Sequence, residues 1–215
     1  MTVIAVETPH GTANAHLHPA DEEGAALVLG HGAGGGVSAP DLVAVTDVAC
    51  SQGVTVALVE QPYRVAGRRS PAPGRQLDAA WTAVVEHLAA NELRGLPLIV
   101  GGRSLGARVA CRMIETTGGV AVLCLAFPLQ PPRRRGGAAP ESRLGELDAV
   151  KVPMLIVQGA QDPFGMPPPA RRREVVQVPG NHSLRKDLGA VAAAVERWLP
   201  TVVEGAASAA SGGRR

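Results

Sequence analysis

The chain has 215 residues, 46% of them hydrophobic, which suits one domain of ordinary size with a well-covered core. Its 21 Lys and Arg against 19 Asp and Glu leave a formal charge of +2, and it holds only two Trp, one Tyr and two Phe, so neither the charge nor the base-stacking surface of a nucleic-acid binder is present. No apolar run approaches the ~20 residues that span a bilayer, and Met1 opens no basic, apolar leader, so a cytoplasmic protein without a membrane partner is expected.

Residues 2–7 and 12–16 read as an antiparallel pair around Pro9-His10-Gly11, an edge that starts a sheet. Residues 25–29 are a continuous apolar run closed by Gly30, as in a strand covered on both faces. From Pro40, Leu42, Val45, Val48 and Ala49 recur at helical spacing up to Gly53. A strand over 54–59 follows, then a Pro-, Gly- and Arg-rich loop over 60–74 and a helix marked by Leu77, Trp81, Val84 and Leu88. The run 97–100 is a strand, 104–116 a helix with Val109 and Met113 inward, and 120–127 another strand. Residues 128–137, with the run Arg133-Arg134-Arg135, read as an exposed loop, and Arg171 to Arg173 as a second exposed charge run.

Strands over 153–157 and 174–178 and a helix over 184–198 complete a domain over 1–204, while 205–215 lacks the apolar bulk to dock and is expected to be disordered. Alternating strands and helices predict an α/β fold with a mostly parallel sheet of about seven or eight strands, helices on both faces and little or no lid. Cys50, Cys111 and Cys124 stand singly with no CxxC spacing, and read as buried, reduced thiols.

In such a sheet, reactive groups gather beyond the carboxyl ends of the strands. Gly102-Arg103-Ser104-Leu105-Gly106 joins a strand to a helix, with a glycine two residues either side of Ser104. This is the pattern of a nucleophile elbow, whose turn is too tight for larger side chains. Asp162 follows the strand over 153–157, and His182 the strand over 174–178. A serine hydroxyl needs a base whose pKa is close to neutrality, and the base needs a carboxylate that fixes its tautomer; Ser104, Asp162 and His182 supply these in the order expected. Oxyanion donors are expected from the backbone N–H groups of Leu105 and of Ala33, in the loop His31-Gly32-Ala33-Gly34-Gly35-Gly36.

Asp148 and Glu146 are alternative acids, and His10, His16, His18 and His87 are more poorly placed bases. His31 reads as a hydrogen-bonder that shapes the glycine loop. His16 and His18 share a strand face without an identifiable third ligand, so no metal site is assigned. Arg64, with Arg68 and Arg69, lies in a loop near the site and is the candidate contact for an acidic group of the substrate.

With Gly30-His31-Gly32-Ala33-Gly34, Gly102-Arg103-Ser104-Leu105-Gly106, Gln158-Gly159-Ala160-Gln161-Asp162-Pro163 and His182 in order, most of residues 24–200 resembles the α/β-hydrolase superfamily. Together with Pro62-Tyr63-Arg64 and Phe127-Pro128-Leu129, these motifs are similar to small dienelactone-hydrolase-like members. That subgroup includes hydrolase-like domains of a testis-expressed protein and of a subunit of the NSL (non-specific-lethal) histone-acetyltransferase complex. The resemblance implies the fold and a Ser104–Asp162–His182 triad. Dienelactone hydrolases proper use cysteine at the elbow, so Ser104 points away from lactone cleavage. The expected function is a serine hydrolase of carboxylesterase type, forming an acyl-enzyme on a small acyl ester or thioester without a cofactor. The alternative is a non-catalytic binding or scaffold module of the same fold.

Overall fold

A computed structural model of the chain describes residues 1–131 and 141–212. Its elements, in chain order, are β1 (Thr2–Thr8), β2 (Gly11–His18), β3 (Ala25–Gly30), α1 (Pro40–Ser51), β4 (Val54–Glu60), α2 (Pro62–Val65), α3 (Gly74–Ala90), β5 (Leu98–Arg103), α4 (Leu105–Thr117), β6 (Ala121–Leu125), α5 (Leu144–Asp148), β7 (Met154–Gly159), β8 (Arg173–Val178) and α6 (Leu188–Gly212). One eight-stranded sheet runs β1-β2-β4-β3-β5-β6-β7-β8. Its β2 is antiparallel to both β1 and β4, and every later pairing is parallel.

Strand alternation divides the core between two faces. Ala25, Leu27 and Leu29 of β3 pack with Leu42 and Val45 of α1 and Val191, Val195 and Leu199 of α6. Ala26 and Val28 face the other way, onto Trp81 and Val84 of α3 and Val109 and Ala110 of α4. All six residues of β3 are buried, because helices cover both faces. This is the α/β architecture expected, with all of its predicted strands present.

The central strands approach α4 closely. A Cβ on Gly106 would lie 2.2 Å from the carbonyl oxygen of Gly30, and one on Gly102 would lie 2.5 Å from the same atom. Helix propensity alone would make Gly106→Ala stabilising by about 1 kcal/mol. Here the obstacle is β3 backbone, held in parallel register on both sides, and overpacking of this kind costs about 1–3 kcal/mol. Urea denaturation of Gly106→Ala is therefore expected to show a net loss of stability. A gain would mean that the helix can retreat from β3.

Five expectations change. The loop over 60–74 contains the short α2, begun by Pro62 at the first turn. The final helix starts at Leu188, not at 184, because the Asp187 carboxylate accepts the N–H of Ala190 at 2.9 Å and caps it; Leu184 is buried in the preceding turn at φ +53°.

The same helix continues to Gly212, through much of the tail expected to be disordered. Pro200 removes the donor that would reach the carbonyl of Glu196, and Gln52 Nε2, just beyond α1, donates to that carbonyl at 3.0 Å instead. Val202 is buried against the core beyond this point, and the alanines that follow favour helix. Residues 213–215 lie outside the described residues, as do 132–137 of the expected loop with Arg133, Arg134 and Arg135.

The second arginine run is not wholly exposed. Arg173 is buried, and its Nη atoms donate to Asp148 Oδ1 at 3.0 and 3.1 Å. The cysteines are free, with Cys111 and Cys124 buried and their sulfurs 3.5 Å apart. Cys50 is only half-buried, where its thiol donates to the carbonyl of His18 at 3.4 Å.

Candidate active site

The connection from β5 to α4 forces Ser104 into φ +52°, ψ −105°. A non-glycine residue in this region costs of order 1–3 kcal/mol and persists only where its surroundings hold it. Those surroundings are the Ser104 N–H donating to the carbonyl of Leu125 at 2.9 Å and the glycine contacts with β3. The result lifts the Ser104 hydroxyl above the carboxyl edge of the sheet, at the start of α4.

Asp162 and His182 reach the same place from the ends of β7 and β8. Their loops are zipped together: the N–H of Ala160 donates to Val178 O and that of Gln161 to Gly180 O, both at 2.8 Å. A Cβ on Gly159 would come within 2.4 Å of Asn181 O, so only glycine allows this approach. His182 Nε2 lies 2.9 Å from Ser104 Oγ, and His182 Nδ1 lies 2.8 Å from Asp162 Oδ2. A carboxylate only accepts, so Nδ1 carries the proton and Nε2 is free to take one from the serine. The Asp162 side chain is fully buried and that of His182 is 20% exposed. Phe164 sets its ring edge-on to the imidazole with centroids 4.5 Å apart.

A family model described as an alpha/beta hydrolase domain matches residues 23–186. The chain belongs to this family. The matched span runs from β3 past His182 and so contains every residue of the constellation.

Solved structures similar to this α/β hydrolase include Est1E from Butyrivibrio proteoclasticus (TM-score 0.77, 17% identity, covering 95% of this chain and 100% of the other). Another is XC6422 from Xanthomonas campestris, described as an a/b serine hydrolase without lid (TM-score 0.71, 17% identity, covering 92% and 94%). A third is a dienelactone hydrolase from Anabaena variabilis (TM-score 0.71, 17% identity, covering 93% and 96%). At these identities the likeness is one of fold. No curated protein matches the sequence. Among the described residues, no helix is long and apolar enough to cross a membrane.

Four of the six competing residues are engaged elsewhere. Glu146 pairs with Arg108 and Arg112, Asp148 with Arg173, His16 with Glu60 and His87 with Glu92. Leu105 directly follows Ser104 as the first residue of α4, and Ala33 lies in the loop after β3, where a Cβ on the preceding Gly32 would lie 3.7 Å from Ser104 Cβ. Tyr63 fixes the Ala33 peptide by donating its hydroxyl to Ala33 O at 3.0 Å. Burial lowers the pKa of His31 and raises that of Tyr63, with the Arg64 charge pushing both downward; among the described residues the buried Arg64 Nε has no hydrogen-bond partner.

Sequence reasoning missed the role of Gln158. Its Nε2 donates to Asp162 Oδ2 at 2.8 Å, Gly165 O at 2.9 Å and Phe127 O at 3.0 Å, tying the acid to the loop after β6. A polar residue ending the apolar run Leu155-Ile156-Val157 was the available signal.

His31 does what the sequence reading gave it, shaping the loop. The N–H of Gln61 donates to His31 Nε2 at 3.2 Å, so the ring proton is on Nδ1, which lies 2.8 Å from Gly32 O. Burial holds its pKa below 6.5. The unfolded chain therefore binds a proton before the folded one does. The stability His31 contributes is complete above pH 6.5 and is lost as pH falls from there through the folded pKa, with a slope of at most about 1.4 kcal/mol per pH unit. Urea midpoints taken from pH 7.5 down to 5 should fall less steeply in His31→Gln than in the wild type, and equal slopes would refute this role.

Proposed function

We propose that the protein is a serine hydrolase of esterase type, with Ser104 as nucleophile, His182 as general base and acid, and Asp162 as the group that orients His182. The hydrogen-bonded series Ser104–His182–Asp162 carries this reading. As Ser104 Oγ attacks a carbonyl carbon, its proton passes to His182 Nε2 and the imidazolium is stabilised by Asp162. The carbonyl oxygen becomes an oxyanion, for which the N–H groups of Ala33 and Leu105 are the proposed donors, the second at the positive end of α4. His182 then protonates the leaving alcohol or thiol, the acyl group stays on Ser104, and water activated by His182 releases it.

Small or extended acyl groups suit this site. The stretch between Phe127 and Pro153 is too short for a large helical lid, and the cavity of about 10 Å³ lined by His31, Tyr63 and Leu105 includes neither Ser104 nor His182 and is at the lower bound for one water molecule. Arg64 is the proposed contact for an acidic group on the substrate. Within the family, the motifs favour the dienelactone-hydrolase-like subgroup with the testis-expressed and NSL-subunit domains, while Ser104 in place of cysteine favours esters or thioesters over lactones.

The test is a panel of short-chain aryl esters and thioesters with a fluorophosphonate probe, Ser104→Ala serving as control. Turnover and labelling that depend on Ser104 support the reading. A folded protein that reacts with no member of the panel and co-purifies with a stable partner would favour the binding-module alternative.

A further inference from the structure

Arg103, the last residue of β5 and the one before the candidate nucleophile, takes no part in making or breaking bonds in acyl transfer, yet it touches both the His182 backbone and the glycine loop. Its Nε donates to Asp41 Oδ2 at 2.8 Å, and its Nη2 donates to the backbone carbonyl of His182 at 3.1 Å. Its Nη1 packs on the glycine loop, where a Cβ on Gly32 would come within 2.8 Å of it. Asp41 is a fixed anchor: it lies in the first turn of α1, its side chain is 1% exposed, and its Oδ1 accepts the N–H of Leu42 at 3.1 Å. Burial raises the Asp41 pKa, with Arg103 opposing that rise.

This arrangement is poorly explained by stability alone. A buried ion pair often contributes little net stabilisation over an apolar pair of similar volume, because both charges must be desolvated. What a guanidinium adds is geometry, several donors in a rigid plane, which a lysine ammonium cannot reproduce. The imidazole of His182 is oriented by Asp162 and Phe164, and its loop is zipped to the one after β7. Those contacts tie the His182 backbone to β7 and β8; Arg103, on β5, ties it to the strand that leads into Ser104.

We propose that Arg103, braced by Asp41, is a positioning residue that holds the His182 backbone and the glycine loop in register with Ser104. The proposal rests on the esterase reading, since it assigns Arg103 a part in that same site.

Arg103→Lys, Arg103→Gln and Asp41→Asn, each confirmed folded by its thermal transition, test it by separate kcat and KM values on a short-chain aryl ester. A misplacement on the order of 1 Å at the reacting groups lowers kcat by about 100-fold, while KM should stay within about two-fold because ground-state contacts are untouched. Arg103→Lys should not rescue kcat, although it keeps the charge. The crystal structure of Arg103→Gln should show His182 Nε2 beyond hydrogen-bond reach of Ser104 Oγ.

Values of kcat within about two-fold of the wild type, or a Ser104–His182 contact retained in that crystal structure, would overturn the proposal. If the wild type itself proves unreactive with esters and fluorophosphonate, the esterase reading fails. The Arg103→Gln structure then decides the positioning role alone.

Discussion

Ser104→Ala is expected to abolish fluorophosphonate labelling and to lower ester turnover by about 10⁶-fold, leaving what oxyanion donors and substrate binding supply by themselves. The loss is large because Ser104 holds the sole hydroxyl at 2.9 Å from His182 Nε2 among the described contacts, so no neighbour can take over the attack. Stability should change little. Alanine inherits the strained φ of +52°, and the deleted hydrogen bond is part-exposed and worth about 1 kcal/mol. Loss of activity with an unchanged urea midpoint would separate chemistry from folding, whereas undiminished labelling would place the nucleophile elsewhere.

Asp162→Asn is expected to lower kcat by about 10²–10⁴-fold, the upper figure being the cost of trapping the histidine in the wrong tautomer. Which end of that range applies follows from the carboxylate's surroundings. Oδ2 receives both His182 Nδ1 and Gln158 Nε2, whereas Oδ1 receives the N–H of Phe164 at 2.9 Å. An asparagine satisfies two donors with its oxygen at the Oδ2 position and one with it at Oδ1, so Gln158 and His182 together favour the first orientation. That orientation keeps the proton on His182 Nδ1 and forfeits only the charge that stabilises the imidazolium. Adding Gln158→Leu leaves one donor at each position and so removes this preference, and the double variant should lose more activity than the two single effects multiplied together. A double variant equal to Asp162→Asn alone would show that Gln158 does not govern the orientation.

The parallel α/β fold was legible because the strands are unbroken apolar runs such as Ala26-Leu27-Val28-Leu29 and Leu98-Ile99-Val100, separated by helices of regular period. Ser104, Asp162 and His182 could be picked out because each follows a predicted strand, and side chains from distant parts of the chain converge at the edge where parallel strands end. Boundaries decided by single polar contacts were not legible. The start of α6 depends on the Asp187 cap, and its passage through Pro200 depends on Gln52, which lies 144 residues earlier than the carbonyl it satisfies. The tail's composition suggested disorder, but a helix already docked through Leu199 and Val202 continues at little further cost.

The sequence by itself determined the strand order's raw material, the elbow and the residue types available beyond each strand, since periodicity and glycine spacing are local properties. Only the tertiary structure decided which partners hold the site. That Arg103 reaches Asp41 and His182, that Gln158 grips Asp162, and that Glu146 and Asp148 are spent on arginines all depend on side-chain directions set by the packing of separate elements, and no local pattern encodes these.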